Sequence, residues 1–152
     1  MQALTSLRIL LNDLPDRLKR IPAARVELKP DPSKWSPKQE LGHLIDSAVN
    51  NHRRILLTQL ENSPALPSYD GDWVEVQHYQ ERGWNELVHL WSALNQHLLA
   101  ASEAVPELAW NRTCTIGDSE PVTLKFVVDD YVDHMVHHLR HIGIEVDDLI
   151  AA

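Results

Sequence analysis

The chain has 152 residues, the length of one ordinary domain and enough to bury a core without disulfides. Its formal net charge of −8 sets up a field that repels phosphate backbones, and the small basic groups at Arg17, Lys19 and Arg20 and at Arg53 and Arg54 are each diluted by nearby acids or amides. Nucleic-acid binding is therefore not expected, nor is a membrane span, because no apolar run approaches the roughly 20 residues a spanning helix needs.

The N-terminal stretch has no basic region followed by a small-residue cleavage site, and the lone Cys114 has no internal partner; both point to a reducing cytoplasm. Leu4, Leu7, Leu11, Leu14 and Leu18 are spaced alternately by three and four residues, which lines one side of a first helix. Pro22 and Pro30 to Pro32 mark its end. A second helix is expected from Pro37 to about Glu61, with Ser36 as N-cap, Pro37 at the first helical position and Gln39 completing a capping box. The turn-rich stretch NSPALPSYDGD follows as a loop. Trp73 to Val105 is expected to be helical, with Gly83 as a break or kink and Trp84, Leu87, Val88, Trp91, Leu94 and Leu98 as its buried face. Between Pro106 and Pro121 the pattern lapses, with a turn at Gly117 and Asp118. Thr123 then caps a last helix that runs to Ile142, and Gly143 stands where chains often leave a helix in a left-handed conformation. Four amphipathic helices and no sustained strand alternation predict an all-α chain folded as a four-helix bundle, residues 1–152 forming a single domain. Loops of some fifteen residues leave the order of the helices open.

Four of the nine histidines fall between His134 and His141. Helical residues turn by roughly 100° each, so His134 and His138 stand about 40° apart and stacked, able to reach one ion. His137 points largely outward, and a His138 and His141 pairing is the second choice. Two imidazoles four residues apart are a common way for a helix to supply two metal ligands, but Met135 stands where the HExxH pattern of metalloproteases carries its glutamate. The plainer alternative is a set of histidines near a helix C-terminus, where the dipole favours their protonated form. His43 begins a polar strip with Ser47, Asn50 and Arg54, opposite Leu41, Leu44, Ala48 and Ile55. Read from the residues alone, that strip is a solvated face unless the second helix turns it toward a polar cleft.

The segment WSPKQELGHLIDS (Trp35 to Ser47), a Trp-bearing third helix, and DHMVHHLRHI (Asp133 to Ile142) together resemble the DinB/YfiT-like family of metalloenzymes. The family's pattern is a Trp and a helix cap before His-Leu-x-Asp, then a late helix with His-x-x-x-His, and the likeness spans nearly the whole chain. The resemblance implies an up-down-down-up four-helix bundle, a homodimer, and metal ligands at His43, His134 and His138. Asp130, one turn before His134, is either an acceptor for a ligand histidine's second N–H or, equally, a plain exposed helix acid. Asp46 is expected to be structural, bonding a neighbouring helix, and Gln77 and Tyr79 are candidates for lining the site. His52, His78, His89 and His97 have no spacing that joins them to the cluster, and Cys114 is expected to lie inert in a loop.

Three neutral imidazoles leave at least one coordination position for water or substrate. The expected function is that of an enzyme dependent on one divalent transition metal, zinc or nickel, acting on a small-molecule substrate either as a hydrolase or as a transferase that uses a low-molecular-weight thiol. No glutamate stands in the sequence as an obvious general base, which favours the thiol or metal-only chemistry, and no catalytic side chain is assigned. The rival reading is a non-catalytic metal-binding or stress-response module whose ion ties two helices together. Free histidine titrates near pH 6.5, so protons are expected to displace the metal below about pH 5.

Overall fold

The apolar stripes read from the sequence meet in one core. The computed structural model describes residues 1–150, and its long helices are α1 (Gln2–Lys19), α3 (Pro37–Leu60), α5 (Trp84–Glu103) and α6 (Leu124–Ile142). Three single-turn helices, α2 (Ala23–Val26), α4 (Trp73–Val76) and α7 (Asp147–Ile150), lie in the connections and at the end of the described chain. Leu7, Leu11, Leu14 and Leu18 of α1 are buried with Leu10, against Leu41, Leu44 and Ile55 of α3, Leu87, Trp91 and Leu98 of α5, and Tyr131, Met135 and Leu139 of α6.

Side-chain contacts at the helix ends fix the directions. Trp84 Nε1 at the start of α5 donates to the Leu18 carbonyl at the end of α1 (2.8 Å), and Arg8 near the start of α1 pairs with Glu103 at the end of α5. Tyr79, just before α5, packs against Gly42 near the start of α3, so α3 and α5 run parallel. Glu40 near the start of α3 meets His138 near the end of α6, so those two are antiparallel. The result is an up-down-down-up four-helix bundle in which α3 touches both α5 and α6.

Local signals act as the sequence suggests. Ser36 accepts from the Gln39 amide while the Gln39 side chain accepts from the Ser36 N–H, a complete capping box with Pro37 behind it. Thr123 caps α6 through the Phe126 amide, and α6 ends at Gly143 with φ 90°, where a side chain would be strained. The expected helix from Trp73 to Val105 is instead three pieces: α4, a 3-10 turn at Tyr79–Glu81, and α5, with Gly83 in extended conformation as the N-cap of α5. The parallel arrangement of α3 and α5 requires this, because the chain must travel back along the bundle between them.

Two connections also contribute strands too short to show alternation in the sequence. β1 (Ala65–Leu66) pairs in parallel with β2 (Thr113–Ile116), and β2 pairs antiparallel with β3 (Val122–Thr123), in the order β1-β2-β3. Cys114 therefore sits fully buried on β2, packed with Leu66 and Val127, and not in a loop. Among the described residues no helix is long and apolar enough to cross a membrane.

Candidate metal centre

The N-terminal half of α3 is unlike an ordinary amphipathic helix, because every residue from Ser36 to Ala48 is buried. The 73–81 segment and α2 close over its polar side: Lys38 Nζ donates to Glu27 (2.9 Å), Gln39 Nε2 to Glu75 (2.7 Å), and Ser36 Oγ to Gln80 (2.5 Å). The strip beginning at His43, which the sequence alone favours as a solvated face, is thereby turned into a cleft against α6. Asp46 anchors that cover, accepting hydrogen bonds from Tyr69 Oη (3.0 Å), Gln77 Nε2 (2.6 Å) and Tyr79 Oη (2.7 Å). Its role is structural as expected, although it holds the 69–79 segment and not a neighbouring long helix. Gln77 and Tyr79 are thus bound to Asp46 beside the cleft. Tyr69, which the sequence did not single out, stands at the cleft in their place.

Within the cleft His43, His134 and His138 bring their Nε2 atoms together, His43 to His134 at 3.0 Å and His138 to His134 at 3.1 Å. Each ring offers one nitrogen to a common point. His138 Nδ1 donates to Glu40 Oε2 (2.6 Å), which leaves its Nε2 as a lone pair aimed at the other two rings. Among the described residues His43 and His134 have no such partner to fix a tautomer, so their Nε2 atoms can also be unprotonated, and a cation among three unprotonated nitrogens would be held by all of them. The donor set therefore suits a divalent transition metal. Trp35 and Tyr69 flank the His43 ring, with centroids at 4.9 and 5.0 Å. Burial pushes the His43 imidazole down to about 3 and His134 to about 4, and the neighbouring imidazoles add to both shifts. Neutral rings are the form a metal needs.

Glu40 is the group that sequence reasoning missed. It lies three residues before His43, on the same helix side, and one of its oxygens holds His138 while the other is 3.3 Å from His141 Nδ1. The available signal was that spacing, but the partner helix was needed to give it meaning. Of the two readings of Asp130 the exposed helix acid holds: among the described residues the Nδ1 atoms of His43 and His134 have no protein partner, and Asp130 is an exposed side chain lining the cleft farther along. His137 is exposed, as its helix phase predicted, and so is His141, which touches Glu40 but not the three converging nitrogens. His52 packs at a tilt against His97, with ring centroids 4.7 Å apart, and the exposed His78 is 3.7 Å from Glu81; neither reaches the cluster.

Beyond His43 and His134 the cleft widens into a polar cavity of about 100 Å³, whose lining includes Ser47, Asn50, Arg54 and Tyr69. On the other side of His138 an open groove of about 390 Å³ runs past Trp35, Pro30 and His141.

A Bacillus subtilis protein named "Putative metal-dependent hydrolase YfiT" is 26% identical over 138 residues, which cover 87% of this chain and 78% of that relative. A Halalkalibacterium halodurans protein bearing the same "metal-dependent hydrolase" description is 23% identical over 137 residues, covering 87% of this chain and 80% of its own length. The solved structure of the Bacillus subtilis protein, described as "a probable metal-dependent hydrolase with an unusual four-helix bundle topology", superposes with a TM-score of 0.84 at 22% identity, covering 98% of this chain and 86% of that one. The family model of the DinB superfamily matches residues 6–142, and the chain belongs to that superfamily.

Proposed function

We propose that His43, His134 and His138 bind one divalent transition metal ion, zinc or nickel, and that the chain is a metal-dependent enzyme acting on a small molecule. The convergence of three Nε2 atoms, with the His138 tautomer set by Glu40, carries this reading. Among the described residues the group has three protein ligands, which leaves a position for an exchangeable ligand and favours a reactive site over a closed structural one. When bound, such an ion supplies Lewis-acid activation of water or of a thiol. Glu40 orients His138, His141 shares that carboxylate, and Trp35 and Tyr69 shield the His43 ring from water.

Glu40 is committed to the Nδ1 side of His138, away from the converging nitrogens, so it is not placed as a general base for hydrolysis. Transfer of a low-molecular-weight thiol to an electrophile needs no such base once the thiol is ionised, and this is the reaction class we favour over hydrolysis, which the names of the relatives suggest. We further propose a single domain working as a homodimer in the cytoplasm. Elemental analysis of the purified protein should find close to one metal per chain, lost in His138→Ala, strongly reduced in His134→Ala and His43→Ala, and kept in His137→Ala. Metal kept by the His134 variant and lost by the His137 variant would overturn the ligand assignment. Turnover of an electrophile that requires added thiol, and stops on chelation, would separate transfer from hydrolysis.

A further inference from the structure

Arg54 lies eleven residues after His43 on the same strip of α3, roughly 16 Å along the axis at about 1.5 Å per residue. Side chains on a helix lean toward its N-terminus, and Arg54 does so: its Nη1 reaches back to Asn51 Oδ1 at 3.4 Å, into the cavity that His43 and His134 also line. Its other partner is the Pro67 carbonyl at 3.3 Å. Both acceptors are neutral, both bonds are long, and a guanidinium has five N–H donors to satisfy. Among the described residues no carboxylate forms an ion pair with Arg54, whereas Arg8, Arg17, Arg82 and Arg140 all have one. The half-buried Arg112 is accounted for differently, capping the end of α3 through the carbonyls of Thr58 and Glu61. Arg54 is thus a half-buried cation facing a polar cavity with most of its donors unspent, in a chain of net charge −8.

We infer that Arg54 forms a subsite for the carboxylate of a small substrate whose other end occupies the three-histidine site. The proposal rests on those histidines holding the metal. A planar carboxylate matches the guanidinium fork in two parallel hydrogen bonds, and Arg54 lines the same cavity as His43 and His134. A volume of about 100 Å³ limits the occupant to a short chain. Asp130 on α6 also lines the cavity, where its charge acts on Arg54 without forming an ion pair, and it opposes an anion there.

The test uses metal-loaded protein and two probes, 3-mercaptopropionate and its uncharged counterpart 3-mercaptopropan-1-ol, with affinities measured by calorimetry. Wild type should bind the acid at least about tenfold tighter, as expected for a bidentate charge-assisted pair. Arg54→Gln should erase that preference while leaving the alcohol's affinity and the metal content unchanged. Arg54→Lys should keep part of the preference, and Asp130→Asn should keep or enlarge it. No preference in wild type, or the same preference in Arg54→Gln, overturns the subsite. Metal content is measured separately on each sample, and propionate is titrated into chelated protein while the Arg54 Nε–H resonance is followed. A shift saturating there supports the subsite even if the three histidines prove to hold no metal, and its absence there counts against the subsite by itself.

Discussion

His138 is held more firmly than its two companions, because Glu40 fixes both its tautomer and its ring orientation while the Nδ1 atoms of His43 and His134 have no protein partner. A carboxylate behind a ligand histidine raises the basicity of the coordinating nitrogen, and removing such a partner typically weakens metal binding by roughly 10- to 100-fold. Glu40→Gln, close in shape but uncharged, is therefore expected to lower metal affinity by about that factor in competition with a chromophoric chelator. The metal-free variant should remain folded by circular dichroism. An unchanged dissociation constant would show that Glu40 serves the fold and not the ion. His141, on the other oxygen of Glu40, should matter less, since its exposed ring can be replaced by water.

Among the elements, the approach of the 73–81 segment to α3 decides whether the cleft exists. A Cβ on Gly42 would collide with Cβ and Cγ of Tyr79, atoms close to the backbone that cannot swing away. The missing side chain is what allows Tyr79 to lie flat on the helix and place its hydroxyl on Asp46. Gly42→Ala should thus destabilise the protein by about 1–3 kcal/mol, the usual cost of overpacking. Asp46→Ala should cost on the order of 3 kcal/mol, because it strands the hydroxyls of buried Tyr79 and half-buried Tyr69 and removes the partner of the exposed Gln77. Urea unfolding of metal-free protein measures both, and midpoints equal to wild type would mean that the cover is not held at these points. Both changes should also loosen metal binding, since His43 and Asp46 lie one turn apart on α3.

For the whole molecule, pH acts through the two most buried ligands. His43 and His134 titrate at about 3 and about 4 in the fold, against 6.5 when unfolded, so between those values the unfolded chain binds more protons. Their contribution is fully present above about pH 6.5 and is lost as pH falls toward about 4 for His134 and about 3 for His43. Chelated wild type should therefore lose stability on acidification more steeply than chelated His134→Gln, and parallel curves between pH 6.5 and 4.5 would refute this. The same burial revises the expectation, based on free imidazole, that metal leaves below about pH 5. Protons compete poorly with the ion at rings already held neutral, so the extra melting temperature of loaded over chelated protein, a mass-action effect, should persist at pH 5 and fade toward pH 4. Equal melting temperatures at pH 7.5 with verified loading would argue against an ion bridging α3 and α6.

By itself the sequence determined what local physics can determine. The leucine spacing of α1, the capping box at Ser36, the Thr123 cap and the Gly143 stop are each written in a few consecutive residues, and their elements begin or end where those signals stand. The stacking of His134 over His138 and the outward aim of His137 follow from helical phase in the same way. The three-strand sheet was invisible because its strands are two to four residues long and β1 finds its partner β2 far along the chain. The His43 strip was ambiguous because polarity along one helix looks the same whether it faces water or a polar cleft. Only the packing of α6 and the 69–81 segment against α3 decided that, and only that packing brought Glu40 to His138 and Arg54 into the cavity beside His134, since long-range proximity depends on which helices run parallel and not on the spacing within any one of them.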